Sequence, residues 1–438
     1  MTIENKKILF IAPLISCSGY GEHARLVYEV LEKYRGAYTL DVLPTNWGQT
    51  SNDHSILDKY PLLASQLTLP DKVSQTPYEI IIQLGIPPEF NVNMNSRPRR
   101  LIGITAGIES DEVSPGWLNV ANLDELCVVS EHAKKGFIRC ARKNHSDNKP
   151  LLEWLEKNIQ VIHYPVKYPK IEHNDKVLDP SDIDTDFNFL TVAQMGPRKD
   201  LPLLIQSFVE EFHDDPNVGL IIKGNLANNS GVDRHFARVE LANILGPYPD
   251  RKCKIHHLHG NLSEAQVHSL YVDSRVNGYV TTTHGEGYGL PIFEAAYSGL
   301  PVLAPAWSGH VDFLYMPVKN EKSGKIKSSP MFTKIKYSLQ KVNPAAHWKG
   351  VIEPHTHWCF VDRADLKKKM REFYNNTKTN KNSLLKKNAH QLKEYLHSVF
   401  TQQSIMEQYR DVIFRGINIE EETAATAEWN EYLSEMID

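Results

Sequence analysis

The sequence has no C-x-x-C pair: its five cysteines, Cys17, Cys127, Cys140, Cys253 and Cys359, are odd in number and far apart. That spacing offers neither a disulfide framework nor a zinc site, and it fits a reducing compartment. No apolar run approaches the roughly 18 consecutive residues of a membrane span. One stretch imitates a bacterial lipoprotein leader: Lys6-Lys7, a short apolar run from Ile8 to Ile15, and Cys17. Pro13 interrupts that run and a glycine turn follows it, so a soluble, cytoplasmic protein is expected. An excess of one charge is also lacking, since 49 Lys and Arg against 53 Asp and Glu leave a net charge of −4. This balance argues against a dedicated nucleic-acid binder. Repeats and low-complexity tracts are missing too. What is there, 438 residues with 41% hydrophobic and 9% aromatic side chains, is a globular chain long enough for two sizeable domains.

Short apolar runs alternate with helical patterns, as a parallel sheet with covering helices requires. Strands are expected at 7–14, 39–44, 79–84, 101–105, 126–130 and 160–164, with a first helix after Gly19-Tyr20-Gly21. Beyond Pro165 the chain turns polar and acidic up to Asp186, a candidate interdomain linker. A second series follows, with strands at 189–193, 218–223, 254–259, 278–282 and 301–304 and helices at 201–212, 234–245, 263–272 and 291–297. The expected architecture is α/β, two doubly wound Rossmann-like domains facing a cleft: residues 1–180, residues 181–400, and C-terminal helices over 401–438 that could pack back on the first domain. Residues 317–350 break the rhythm and read as an irregular loop or insertion.

The strongest chemical signal is His284-Gly285-Glu286-Gly287-Tyr288-Gly289-Leu290-Pro291-Ile292-Phe293-Glu294. A strand ends just before it, and a helix opens with Pro291 at its first position, where a missing N–H costs nothing. The helix's free N–H groups and dipole make an anion site, which Gly287 and Gly289 let a phosphate approach. Glu286 and Glu294 are poor partners for phosphate but good acceptors for sugar hydroxyls. A ligand carrying both phosphates and sugars accounts for the mixture.

This segment resembles the E-x7-E signature of retaining GT-B glycosyltransferases, whose common form is E-G-F/Y-G-L-P-x-x-E-A followed by G-x-P-V, here Gly299-Leu300-Pro301-Val302. The resemblance extends over most of residues 187–315 and more faintly over 1–150 and 355–375. It implies that Glu286 contacts the transferred sugar, Glu294 the nucleotide ribose, and the amides of Gly287, Tyr288, Gly289 and Leu290 the diphosphate. It further implies that the donor substrate is a nucleotide diphospho-sugar and that neither a metal nor another cofactor is required.

A second constellation, Gln194-Met195-Gly196-Pro197-Arg198-Lys199-Asp200, follows the first strand of the second domain. Two adjacent cations at a strand's carboxyl end suit a diphosphate. The family's form is G-R-x4-K-G; Lys199 matches its lysine, whereas Gln194 stands at the arginine position and Asp200 at the second glycine. Arg198 either substitutes for that arginine or faces solvent. The loop Ser16–His23 with Gly19 and Gly21 is a phosphate-cradle candidate, although the third glycine of the dinucleotide fingerprint is absent. Glu109 and His132, at the carboxyl ends of two expected strands, are candidates on the acceptor side. His256, His257 and His259 share one expected strand, whose alternation splits them between faces and argues against a shared metal.

These readings describe a metal-independent, retaining transferase of a hexose or pentose from a UDP- or GDP-linked donor to a saccharide or glycoconjugate. Alternatives are a non-transferase GT-B enzyme such as an epimerase or phosphorylase, a nicotinamide oxidoreductase, and a silent binding module. Another alternative is a polyanionic acceptor such as hydroxymethylated DNA bases. It rests on Lys319, Lys322, Lys325, Lys327, Lys334 and Lys336, and on Arg97, Arg99 and Arg100, if the two clusters flank one cleft.

Overall fold

The computed structural model describes residues 7–35, 38–48, 50–90, 97–178, 183–320, 323–379 and 383–417. Lys322, the 180/181 domain boundary and residues 418–438 of the expected C-terminal helices lie outside them. Six strands form the first sheet: β1 (Lys7–Ala12), β2 (Thr39–Pro44), β3 (Ile80–Leu84), β4 (Arg100–Thr105), β5 (Glu125–Val128) and β6 (Ile159–Val161). Their order is β2-β1-β3-β4-β5-β6, all parallel. The run Ile80-Ile81-Ile82 is buried throughout because helices cover both faces of a central strand.

The second sheet repeats this plan with β7 (Phe187–Val192), β8 (Val218–Lys223), β9 (Lys254–Leu258), β10 (Val276–Val280) and β11 (Val302–Pro305). The described residues of 317–350, expected to be irregular, include four strands instead. Strands β12 (Tyr315–Lys319) and β13 (Ile326–Pro330) form an antiparallel hairpin. Next, β14 (Thr333–Ile335) joins the sheet beside β11, giving the order β14-β11-β10-β7-β8-β9. Finally β15 (Tyr337–Lys341) pairs antiparallel with β16 (His357–Val361).

The α-helices longer than about one turn are α1 (Gly19–Lys33), α2 (Glu131–Asn144), α3 (Lys149–Asn158), α4 (Leu201–Phe212), α5 (Gly231–Leu245), α6 (Glu264–Val272), α7 (Leu290–Tyr297), α8 (Arg363–Thr379), α9 (Leu384–Val399) and α10 (Gln402–Ile413). The starts at the two glycine-containing loops differ from expectation. Gly19 and Gly21 lie inside the first turn of α1, because Ser18 caps it by accepting from the Gly21 amide. Pro291 is the second residue of α7, since the turn begins after Gly289 at φ 95°.

The polar C-terminal stretch has a buried face. The α10 helix lies against α1, where the Tyr409 hydroxyl meets His23 Nε2 at 2.5 Å. This placement explains the arginines before β4. Arg100 donates to Glu125 at 2.5 Å and to the Val412 carbonyl at 2.6 Å, Arg99 donates to the Gly416 carbonyl, and Arg97 pairs with Asp124. All three lie near the amino ends of the strands, opposite the cleft. The expectation that they and the lysines flank one cleft is therefore not met.

Candidate active site

The site is assembled where the carboxyl ends of the two sheets face each other. After β7 the chain turns through Asp200, which holds the left-handed conformation at φ 46°, and then enters α4. Thr282 supports this turn by donating to the carbonyls of Lys199 and Asp200 at 3.1 and 2.9 Å. The turn brings both cations onto one carboxylate, that of Glu286, which is 5% exposed. Arg198 donates to Glu286 Oε2 at 2.8 Å, Lys199 Nζ to Oε1 at 2.5 Å, and Thr283 Oγ1 to Oε1 at 2.7 Å. Gln194 donates instead to the Leu226 carbonyl at 2.8 Å, so Arg198 supplies the second cation. It also lies 3.6 Å from Glu109 Oε1 on the opposite domain.

Burial alone would raise the Glu286 pKa, but the charges of Arg198 and Lys199 and their hydrogen bonds outweigh it and hold the carboxylate ionised far below its usual range. Burial lowers the pKa of Lys199, against the pull of Glu286. Arg198 is also desolvated, but Glu286 and Glu109 more than compensate and keep it charged.

The glycines of this loop are required by the opposite domain. A Cβ on Gly285 would lie 1.9 Å from the Glu109 carbonyl oxygen and 2.8 Å from the Trp307 ring, and one on Gly287 would lie 2.5 Å from the Ala106 carbonyl oxygen. Ser130, which caps α2, also donates to the Gly287 carbonyl at 2.6 Å. Ser308, at φ 78°, accepts from the Glu286 amide at 2.9 Å. Next to this strained backbone the Trp307 ring packs edge-on with His132, their centroids 5.0 Å apart. Nε2 of His132 lies 2.9 Å from the Ser110 carbonyl, and burial lowers its pKa to about 4, so it is neutral at physiological pH.

Glu294 sits one helical turn deeper, where Tyr271 of α6 donates to it at 2.9 Å. Burial pushes its pKa up to about 7, while the Tyr271 bond and Lys167 work against the rise. Lys167 bridges Glu22 of α1 and Glu264 of α6 at 2.7 and 2.9 Å. Gly19 faces Leu290 across the cleft, since a Cβ built there would be 3.6 Å from Leu290 Cδ1. Gly21 has a packing role: its Cβ would fall 1.9 Å from the Ser16 carbonyl oxygen. The Tyr288 ring packs among Tyr164, Phe293 and Phe313, so only its backbone could serve a ligand. His257 and His259 are engaged with the Gly224 carbonyl and Asp233.

The structure thus brings together Glu286, Lys199, Arg198 and Glu109, with Gly287 and Trp307 beside them. Sequence reasoning missed Thr283, Ser308, Trp307, Tyr271 and Lys167. Trp307 and Ser308 follow the carboxyl end of β11, the edge that carries ligands in open α/β sheets, and that position was the available signal.

Two parallel six-stranded sheets with facing carboxyl ends define the GT-B architecture of nucleotide-sugar glycosyltransferases. The solved structure of HepE from Anabaena, in complex with UDP and glucose, superposes with a TM-score of 0.58 at 15% identity, covering 93% of this chain and 99% of that one. Sucrose-phosphate synthase from Thermosynechococcus elongatus gives a TM-score of 0.56 at 14% identity, covering 93% and 98%. In sequence, the serotype-specific mannosyltransferase WbdA of Escherichia coli is 33% identical over 116 residues, which are 26% of this chain and 13% of WbdA. No family model matches the chain. Among the described residues, no helix is long and apolar enough to cross a membrane.

Proposed function

We propose that the protein transfers a hexose or pentose from a UDP- or GDP-linked donor to an acceptor hydroxyl, with retention and without a metal. One observation carries this reading: Glu286 lies between Arg198 and Lys199 in the loop leading to the first turn of α7, with Gly19 across the cleft from Leu290. A diphosphate entering the cleft would meet two cations and the positive end of α7, which stabilise the charge that develops as the sugar–phosphate bond breaks. Glu286, released from one or both cations, accepts from the sugar's hydroxyls and orients its anomeric carbon. The departing phosphate oxygen takes the acceptor's proton on the same face, so no protein nucleophile is needed. The fold shared with HepE, described with UDP and glucose, supports a nucleotide-sugar donor. The test is donor hydrolysis and transfer across a panel of nucleotide sugars, with the product's anomeric configuration read by NMR. No turnover of any donor, or an inverted product, overturns the proposal.

Because Arg198 and Lys199 take the place of a divalent cation, transfer is expected to survive EDTA with no more than about a twofold loss. Loss that added metal restores would show a different way of holding the diphosphate.

Glu294 gives a pH signature. Its pKa of about 7 means that near neutrality only part of the free protein carries the ionised carboxylate that accepts from ribose hydroxyls. A nucleotide sugar is a diphosphate diester with no ionisation of its own in this range. Its affinity should therefore rise with pH, by roughly tenfold between about pH 6 and pH 8, then level off. Glu294→Gln should flatten the profile at the weaker end. A flat profile in the unaltered protein would remove Glu294 from the nucleotide site.

A further inference from the structure

Beside the hairpin lies a cavity of about 410 Å³, lined by Val311, Asp312, Tyr315, Pro317, Ser328 and Tyr395. Its walls come from separate parts of the chain. Tyr315, Pro317 and Ser328 form the base of the β12–β13 hairpin, where Pro317 stands opposite Ser328. Tyr395 comes from α9. Asp312 accepts from the Glu131 amide at 2.7 Å, which places the cavity against the first turn of α2. Trp307 meets the next residue of that turn, His132. Cavity and Trp307 therefore share one helix terminus, and Trp307 in turn stands beside Gly285.

The lining determines what fits. Among the described residues no Lys or Arg lines the cavity, and Asp312 would repel phosphate, sulfate or a uronate. A wholly apolar ligand would desolvate Ser328 and the Asp312 carboxylate without adding a hydrogen bond to either. Tyrosine rings and a proline suit the C–H faces of a sugar ring, while a carboxylate and a hydroxyl suit its O–H groups. The volume falls within the ~300–1,000 Å³ of small-ligand pockets. The hairpin's lysines Lys319, Lys325 and Lys327 are exposed farther from its base.

We propose that this cavity is an acceptor subsite for a neutral oligosaccharide, holding a sugar ring remote from the one that receives the transferred unit. The proposal rests on the glycosyltransferase reading, but its test can fail separately. The full chain is applied to an array of neutral and anionic glycans, alongside Tyr395→Ala, Tyr395→Phe and Asp312→Asn. Neutral glycans should bind, Tyr395→Ala and Asp312→Asn should each weaken them about tenfold, and Tyr395→Phe should retain binding because it keeps the aromatic face. Thermal stabilisation by UDP-glucose or GDP-mannose should be unchanged in all three variants, which shows that they are folded with an intact donor site. In transfer assays, KM should rise for oligosaccharide acceptors but not for methyl monoglycosides. Absence of neutral-glycan binding, equal binding by Tyr395→Ala and Asp312→Asn, or a preference for anionic glycans overturns the subsite. Failure of every nucleotide sugar to stabilise the protein overturns the donor reading instead, and the array still decides the cavity.

Discussion

Glu286→Ala should reduce kcat by about ten- to a hundredfold while leaving nucleotide affinity unchanged or higher. The carboxylate has two roles, and the substitution removes both. It is the group placed to orient the sugar, and losing a charged hydrogen bond made in the transition state costs roughly 1.5–3 kcal/mol. It is also the counter-ion of Arg198 and Lys199. Breaking a buried pair by removing one partner typically destabilises by about 3–5 kcal/mol, so the melting temperature should fall in the same variant. A diphosphate can then satisfy the stranded cations, and nucleotide should restore more thermal stability to Glu286→Ala than to the unaltered protein. Glu286→Gln separates the roles: it keeps the shape and an oxygen for Lys199, so it should melt nearer the native temperature but still turn over slowly. Native kcat in both variants would remove Glu286 from the reaction.

The sequence made some of this site legible and concealed the rest, for identifiable reasons. Residues 218–223 and 201–212 were assigned with their observed limits, because strands and helices packed on both sides of a sheet carry strong apolar patterns. Glu286, Glu294 and Lys199 were marked by motif spacing. Spacing leaves the role of Arg198 open, since its partners Glu286 and Glu109 are distant in sequence and one belongs to the opposite domain. The 317–350 segment looked irregular for a different reason. Ile326–Pro330 reads Ile-Lys-Ser-Ser-Pro and Tyr337–Lys341 is exposed along its length, so neither shows an alternating apolar face. The partner of Tyr337–Lys341 lies beyond a long excursion, at His357–Val361. The basic cluster before β4 could have been placed from polarity alone. In a parallel sheet, residues preceding a strand sit at the edge opposite those that follow it. Arg97 and Arg99 precede β4 and Arg100 opens it, whereas Glu109 follows it.

That excursion also bears on how the two halves meet. Residues 342–356 leave the second sheet and fasten onto the first domain, where Trp117 donates to the Gly350 carbonyl at 2.8 Å and Ser114 to Glu353 at 2.7 Å. Beside them the His357 amide donates to Asp111 at 2.7 Å. Lys167, through Glu22 and Glu264, ties the domains together at a second place. Between these ties the Glu286 loop is pressed against residues 106–109, and only glycine fits there. Gly285→Ala should therefore separate the cleft walls, because its Cβ would stand 1.9 Å from a backbone oxygen that no rotamer change can move. Relief requires the Glu109 backbone or the Gly285 loop to shift by about an ångström, and misplacement on that scale can cost about a hundredfold in rate. Each sheet has one core cluster of its own and shares another with the opposite sheet, so far-ultraviolet circular dichroism should be native while the melting temperature falls. Nucleotide affinity should change little, since Lys199, Glu294 and the first turn of α7 all belong to the second domain. Transfer to an acceptor and hydrolysis of the donor should fall together, because Glu286 is displaced relative to both. Native kcat in Gly285→Ala would show that the working cleft is not the closed one described by this structure.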